Sequence, residues 1–502
     1  MTRLHRRTFI VGGLAAAGAP LLSTSTANAL AYPFTLGVAS GEPTADGIVL
    51  WTRLAPRPLN ADGLGGMPNT PVAVEWQIGT DPGFGQLAAS GTATAVQASA
   101  HTVHVEVTGL QPDREYWYRF RAEGHISQVG RARTAPAPGS GSALTMLFAS
   151  CAHYETGYYT AYRRMAEDQP DLILHLGDYI YEGAANARVR THSPAAEIAN
   201  LANYRVRHAL YKMDADLQAA HAAAPWAVVW DDHEVENNYA NLVRNDQSPA
   251  GDFRARREAA YRAYFEHMPL RSAQAPVREN MQLFRRLRWG GLATFHMLDT
   301  RQYRDDQACG DGLKLCPEAD APNRTLTGTA QESWLLDGMG QRLATWDLIG
   351  QQVFFAQKLT KADGTKSMDS WDGYTANRKR IQDGWQARGN TSTVVLTGDV
   401  HRSWAGNIMN NYATQDKVIG TELVTTSISS DGDGNAADNG LSSLNPHVKY
   451  YRNLRGYVRT SITPAQIKVD FRTVDKVSVR DYAIRTDKSY VIEAGNPGLQ
   501  AP

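Results

Sequence analysis

The chain has 502 residues, 42% of them hydrophobic, and its 51 lysines and arginines balance its 51 aspartates and glutamates. Such a length predicts two or three domains with substantial cores. Zero net charge offers no basic excess for nucleic acid and no attraction to an anionic membrane surface. Residues 1–29 read as a targeting segment. His5-Arg6-Arg7-Thr8-Phe9-Ile10 resembles a twin-arginine (Tat) signal, Val11 to Leu22 is an apolar run too short to span a bilayer, and Ala27-Asn28-Ala29 has the small-x-small form of a cleavage site. The alternative is a chance arginine pair before a buried helix. A Tat signal predicts passage through the Tat export machinery to a secreted, extracellular or cell-wall location, with no transmembrane helix after cleavage. That route resembles one for proteins already folded, often around a cofactor.

Residues 32–135 predict an all-β sandwich. Val72–Ile78 and His101–Val107 alternate with period two. The turn at Leu110-Gln111-Pro112 before Tyr116-Trp117-Tyr118 resembles the tyrosine corner of fibronectin type III and Ig-like sandwiches. The Pro/Gly/Ser stretch Thr134–Ser142 predicts a boundary. From residue 143 to about 490, apolar strands (Leu144–Ser150, Asp171–Leu176, Ala227–Trp230, Leu292–Leu298, Leu348–Phe355, Thr393–Leu396, Glu422–Ile428) alternate with helices (Thr156–Asp168, Ala196–Ala223, Phe253–Met268, Gln331–Thr345). This pattern predicts an α/β core of mixed sheets flanked by helices. The segments Gly456–Thr460 and Gln466–Thr473 return to strand, and Asp431–Gly440 reads as a loop. Residues 474–502 carry no strong helical pattern, which argues against a helical C-terminal lid.

Four strands stop at polar residues, as binding sites of open α/β sheets do. Met146–Ala149 leads to Cys151, and Leu172–Leu176 leads through Gly177 to Asp178 and Tyr181. Ala227–Trp230 leads to Asp231-Asp232-His233-Glu234, which also suits a helix N-cap. Thr393–Thr397 leads through Gly398 to Asp399 and His401, which share a face in extended backbone. Buried carboxylates in such number need cations. Cys309 and Cys316, seven apart in a Gly-rich loop, read as a local disulfide. Cys151 is left unpaired, as a buried small hydrophobe or a metal-ligating thiolate. No nucleophile elbow, P-loop or zincin motif is present in the sequence.

Gly177-Asp178, Asp232-His233-Glu234 and Gly398-Asp399-Val400-His401 resemble the calcineurin-like metallophosphoesterases, with Asp231-Asp232-His233 where Gly-Asn-His is usual. Cys151, Asp178-Tyr179-Ile180-Tyr181, the run Val229–Asn238, Glu266–Arg271 and Trp371–Tyr374 resemble the PhoD alkaline phosphatases, as does Phe34–Pro43 with Trp51–Leu54. The resemblance implies an αββα metallophosphoesterase core and Fe3+ with Ca2+. Cys151, Asp178, Tyr181 and His401 would hold iron. Asp178 would bridge to calcium, with Asp232 and Asp399 as its further ligands. Hard oxygen donors suit calcium, and sulfur, phenolate and imidazole suit iron. The implied reaction is hydrolysis of phosphate esters by a metal-activated hydroxide. His233 would contact the phosphoryl group and protonate the leaving oxygen, Asn237 or Asn238 would bond a phosphoryl oxygen, and Arg257 would add charge. A phospholipase D-like or teichoic-acid phosphodiesterase would use the same centre. A non-catalytic cell-surface binding protein is a remote alternative and predicts lost ligands.

Overall fold

The computed structural model describes residues 30–245, 251–437 and 440–502; the expected signal at 1–29 lies outside the described residues. The N-terminal strands are β1 (Val38–Gly41), β2 (Ile48–Arg53), β3 (Val72–Gly79), β4 (Leu87–Ala95), β5 (Thr102–Val107), β6 (Glu115–Ala122), β7 (His125–Ile126) and β8 (Gly130–Arg133). β3, β4, β6, β7 and β8 form one sheet. β1, β2 and β5 face it across a core that includes Val38, Leu50, Val74, Ile78, Tyr118 and Phe120. The alternation read in β3 holds: Val72 and Val74 are buried, while Ala73 and Glu75 are exposed. The Tyr116 hydroxyl accepts from the Gln111 amide at 2.9 Å, which closes the tyrosine corner.

Next come β9 (Leu144–Ala149), β10 (Leu172–Leu176), β11 (Pro225–Val229), β12 (Arg285–Trp289), β13 (Ala293–Met297), β14 (Leu313–Lys314), β15 (Trp346–Gly350) and β16 (Lys366–Ser367). β17 (Thr393–Thr397), β18 (Ser403–Met409), β19 (Val418–Val424), β20 (Val448–Arg452), β21 (Arg455–Ile462), β22 (Gln466–Val474), β23 (Ile484–Glu493) and β24 (Asn496–Gln500) complete the chain. One sheet runs β24-β23-β22-β21-β9-β10-β11-β1-β2-β5, and a second runs β12-β13-β15-β17-β19-β18-β20. The N-terminal sandwich is therefore not a separate body, because β1 pairs in parallel with β11 and one of its sheets continues into that of the following strands. β23 pairs with β22 and β24 forms the sheet's edge, so the C-terminal segment adds to the sheet and forms no helical lid.

The two large sheets pack face to face. Phe148, Leu174 and Val228 of the first meet Phe295, Leu348 and Val394 of the second in one core. Ile349 and Val395, one position along, point to the other side and pack against Leu335, Ile381 and Trp385. Two-sided burial explains why these strands read as unbroken apolar runs. The helices α1 (Thr160–Glu167), α2 (Leu201–Lys212), α3 (Ala215–Ala223) and α4 (Gly251–His267) cover the first sheet, and α5 (Gly328–Gly340) and α6 (Thr375–Ala387) cover the second. The expected helix 196–223 is two helices, because the Asp214 carboxylate accepts from the Asp216 and Leu217 amides (2.9 and 3.3 Å) and starts α3 afresh. α6 escaped the sequence reading: its buried apolar positions are few, chiefly Ile381 and Trp385. Among the described residues no helix is long and apolar enough to cross a membrane.

Candidate metal centre

The parallel strands β9, β10, β11 and β17 end together, and their ends carry the predicted residues. Gly177 makes the close approach possible: at φ +104°, a Cβ there would lie 2.4 Å from that of Asp231. Cys151 (φ +61°), Asp178 (+54°), Asn238 (+51°), Asp399 (+64°) and His401 (+54°) all adopt left-handed backbone. That conformation is costly for residues with a Cβ and concentrates where side chains must be aimed. Arg301 (after β13) joins them from the second sheet.

The side chains converge as expected for most positions. Donor atoms of Cys151, Asp178 and His401 lie within 4.8 Å of one another, and so do those of Asp178, Asp232 and His233, and those of Asp231, Asp232 and Asp399. The Tyr181 hydroxyl donates to Asp178 Oδ2 (3.0 Å) and lies 3.1 Å from His401 Nε2. Its ring is sandwiched by His153 and His233, with centroids 4.4 and 4.1 Å away. His233 Nδ1 meets Glu182 Oε2 at 2.7 Å, so Nε2 is left for other work. The Asn237 amide donates to Glu182 (2.8 Å), and the Asn238 amide donates to Asp232 Oδ2 (2.6 Å). Asp231 caps no helix; turns follow it.

Arg257 is a correction. Its guanidinium donates to Glu279 O, Asn241 O and Oδ1, and Asn280 Oδ1, which fixes loops rather than adding charge to the cluster. The cation of the cluster is Arg301, fully buried and not anticipated. It meets Asp231 at 2.5 Å, Asp369 at 2.8 Å, Asp232 at 3.6 Å and Asp399 at 3.7 Å. A usable signal existed: Leu292–Leu298 is a further apolar strand, and it ends at Asp299-Thr300-Arg301. Other supports were also missed. Glu234 accepts from the amides of Asp178, Tyr179 and Asp231 (3.0, 2.5 and 2.8 Å), tying two strand ends together. From the 427–433 loop, Ser430 Oγ lies 2.7 Å from the Tyr181 hydroxyl and Asp431 Oδ2 lies 3.3 Å from His401 Nδ1. Asp431 thereby leaves His401 Nε2 facing the cluster.

The electrostatics ask for cations. Arg301 faces four carboxylates, and the only one of them that a second guanidinium meets among the described residues is Asp369, with Arg304 at 3.0 Å. Asp231 Oδ2 and Asp232 Oδ1 are buried with no hydrogen-bond partner among the described residues. Burial, reinforced by neighbouring carboxylates, pushes Asp178 and Asp231 well above the usual carboxylate range, and Asp399 up to about 6. Burial also raises Asp232, but Arg301 and His233 outweigh it and hold the group low. Burial and Asp178 push the Cys151 thiol and the Tyr181 phenol up, so ionising them needs positive charge close by. The donor set of one sulfur, one phenol, one imidazole and several carboxylates fits a mixed centre of a softer and a harder ion. His233 stands apart: burial lowers it, yet Glu182, Asp232 and Asp178 more than compensate and raise it well above the ordinary range.

Comparison with known proteins agrees with this geometry. Residues 146–471 match the family model of PhoD-like phosphatases, and residues 19–136 match that of their N-terminal domain. The chain is 47% identical to alkaline phosphatase D of Bacillus subtilis (strain 168), over 99% of this chain and 88% of that protein. A solved structure of PhoD superposes with a TM-score of 0.91 at 48% identity, covering 94% of this chain and 92% of that one. A purple acid phosphatase from yellow lupin shares the fold alone, with a TM-score of 0.55 at 13% identity over 92% of this chain and 74% of that one. The chain belongs to the PhoD-like phosphatase family and is a phosphoric ester hydrolase.

Proposed function

We propose that this phosphatase is a metal-dependent enzyme exported from the cytoplasm, with Fe3+ and Ca2+ at the strand-end cluster. The observation that carries the reading is the meeting of Cys151, Asp178, Tyr181 and His401, a donor set with little purpose in a metal-free core. These four residues hold iron; Asp178, Asp232 and Asp399 hold calcium. Bound there, the ions neutralise the phosphoryl oxygens and activate water for attack.

The chain's own groups do the rest. His233 is kept protonated by Glu182, whose carboxylate occupies Nδ1. Nε2 then delivers the proton to the departing ester oxygen. The Asn238 carboxamide, with Asn237 beside it, donates to a phosphoryl oxygen. Arg301 holds Asp231 and Asp369 in place and offsets part of the repulsion among the facing carboxylates. The substrates are phosphate monoesters, diesters or both, with phospholipid head groups and teichoic-acid polymers as diester candidates. The Cys309–Cys316 disulfide supports an oxidising destination, as does the twin-arginine segment. Filled ligand positions argue against a binding-only role.

The test is metal analysis of the purified protein, with assays of a monoester and a diester of one chromogenic phenol, with and without a calcium chelator. Iron in the protein and loss of activity on chelation are expected. Iron-free active protein would overturn the ligand assignment, and chelator-indifferent activity would overturn the mixed centre.

A further inference from the structure

The disulfide-closed loop 309–316 touches the site at one point. Asn238 Nδ2 donates to Asp311 Oδ2 at 2.8 Å. A carboxylate only accepts, so the amide nitrogen must face Asp311, and only its second N–H remains for another acceptor. The rest of Asn238 is also tied. Its main-chain amide donates to Asp232 at 2.6 Å, and its carbonyl accepts from Gln307 Nε2 at 2.8 Å. Gln307 in turn reaches Asp369 at 2.9 Å, and Asp369 is held by Arg301.

The loop is anchored on its other side. β14 pairs with β16, and the Met368 amide donates to Gly312 O at 3.0 Å. Cys316 packs with Ala308, Ala319 and Met368 in a small core. Asp311 therefore stands on a strap closed by the disulfide and fastened to the segment that carries Asp369.

We infer that Asp311 is a positioning residue, and that the Cys309–Cys316 strap exists to hold the Asn238 carboxamide at the angle that presents its second N–H to the phosphoryl group. The inference rests on the reading that Asn238 contacts substrate. It gives the disulfide a role in catalysis as well as in loop stability. Reduction frees the strap, withdraws Asp311 and lets the carboxamide turn.

The experiment is steady-state kinetics on the metal-loaded enzyme with Asp311→Ala, Asp311→Asn, Asn238→Ala, the Asp311→Ala/Asn238→Ala double variant and Cys309→Ser/Cys316→Ser. Asp311→Ala is expected to lower kcat about tenfold with a smaller change in KM, the loss of one transition-state hydrogen bond. Asp311→Asn keeps an acceptor oxygen and retains most activity. The double variant loses no more than Asn238→Ala alone. The cysteine variant falls toward Asp311→Ala. Additive losses, or equal failure of Asp311→Asn and Asp311→Ala, would overturn the strap, as would wild-type kinetics in Asp311→Ala or the cysteine variant. Unchanged kinetics in Asn238→Ala would instead overturn the substrate contact on which it rests.

Discussion

The Tyr181 hydroxyl stands 3.1 Å from His401 Nε2, although 220 residues separate them in the chain. They belong to opposite sheets, and each needs the other's strand end in place. If they share an iron ion, Tyr181→Phe and Cys151→Ala each lower bound iron and lower activity in parallel, by metal analysis and ester assay. A Cys151→Ala protein with full iron and full activity would make Cys151 a core residue only.

Arg301 supplies the one guanidinium common to Asp231, Asp232, Asp369 and Asp399. Breaking a buried ion pair from one side leaves an uncompensated charge and costs about 3–5 kcal/mol. Arg301→Leu is expected to show that loss in urea denaturation. Adding Asp231→Asn should recover part of it. Equal stabilities for wild type and Arg301→Leu would refute the account.

Glu182, 2.7 Å from Nδ1, together with Asp232 and Asp178 raises His233 well above the ordinary range against the effect of burial, and the proposed acid role draws on that. Removing a general acid slows turnover about 10²–10⁴-fold. His233→Asn should lose most with alkyl esters, whose leaving oxygen needs a proton, and least with nitrophenyl esters, which leave unaided. A loss independent of the leaving group would argue against the acid role.

A second group of histidines sets acid stability. His175, His208, His221 and His267 are buried, and burial holds all four below their ordinary pKa, His175 at about 3. Arg53 and Arg207 add positive charge beside His208, and Arg53 beside His267. Arg53 donates to His267 Nε2 at 2.8 Å, and His208 finds no hydrogen-bond partner among the described residues. The folded state keeps them neutral, while the unfolded chain takes up protons below about pH 6.5. Stability therefore falls as pH drops through that value, by about 2 kcal/mol per histidine at pH 5. Lys212, also held low by burial, works in the same direction up to its unfolded value near pH 10.5. Melts between pH 8 and pH 5 should show a steep loss, shallower in His208→Gln. A flat Tm across this range would contradict it.

The strand-end residues of the candidate site were legible because two-sided burial writes a strand as an apolar run, and the polar residues just after it stand out. Cys151, Asp178, Asp232 and Asp399 were visible for that reason. Glu182, Ser430 and Asp431 were not, since they sit in irregular segments and their importance is only spatial. Arg301 followed the same rule as the ligands, but a search for anionic and soft donors passes over a cation. Arg257 misled through the opposite error: an arginine on a helical stretch shows charge, while its use depends on carbonyls that only folding assembles. The sandwich was legible from its alternation, but not its fusion to the core, because the pairing of Ser40 with Pro225 leaves no local mark.

That pairing bears on how the molecule is made. β1 can pair with β2 early, but its other edge, at Ser40 and Gly41, must wait for Pro225 and Trp226. That edge stays open while nearly two hundred further residues emerge, a long-range pairing of the kind that slows folding. Cutting the chain at the 134–142 segment would leave β11 as a raw parallel edge, a template for aggregation. Residues 38–135 thus cap an edge that the rest of the chain cannot safely expose.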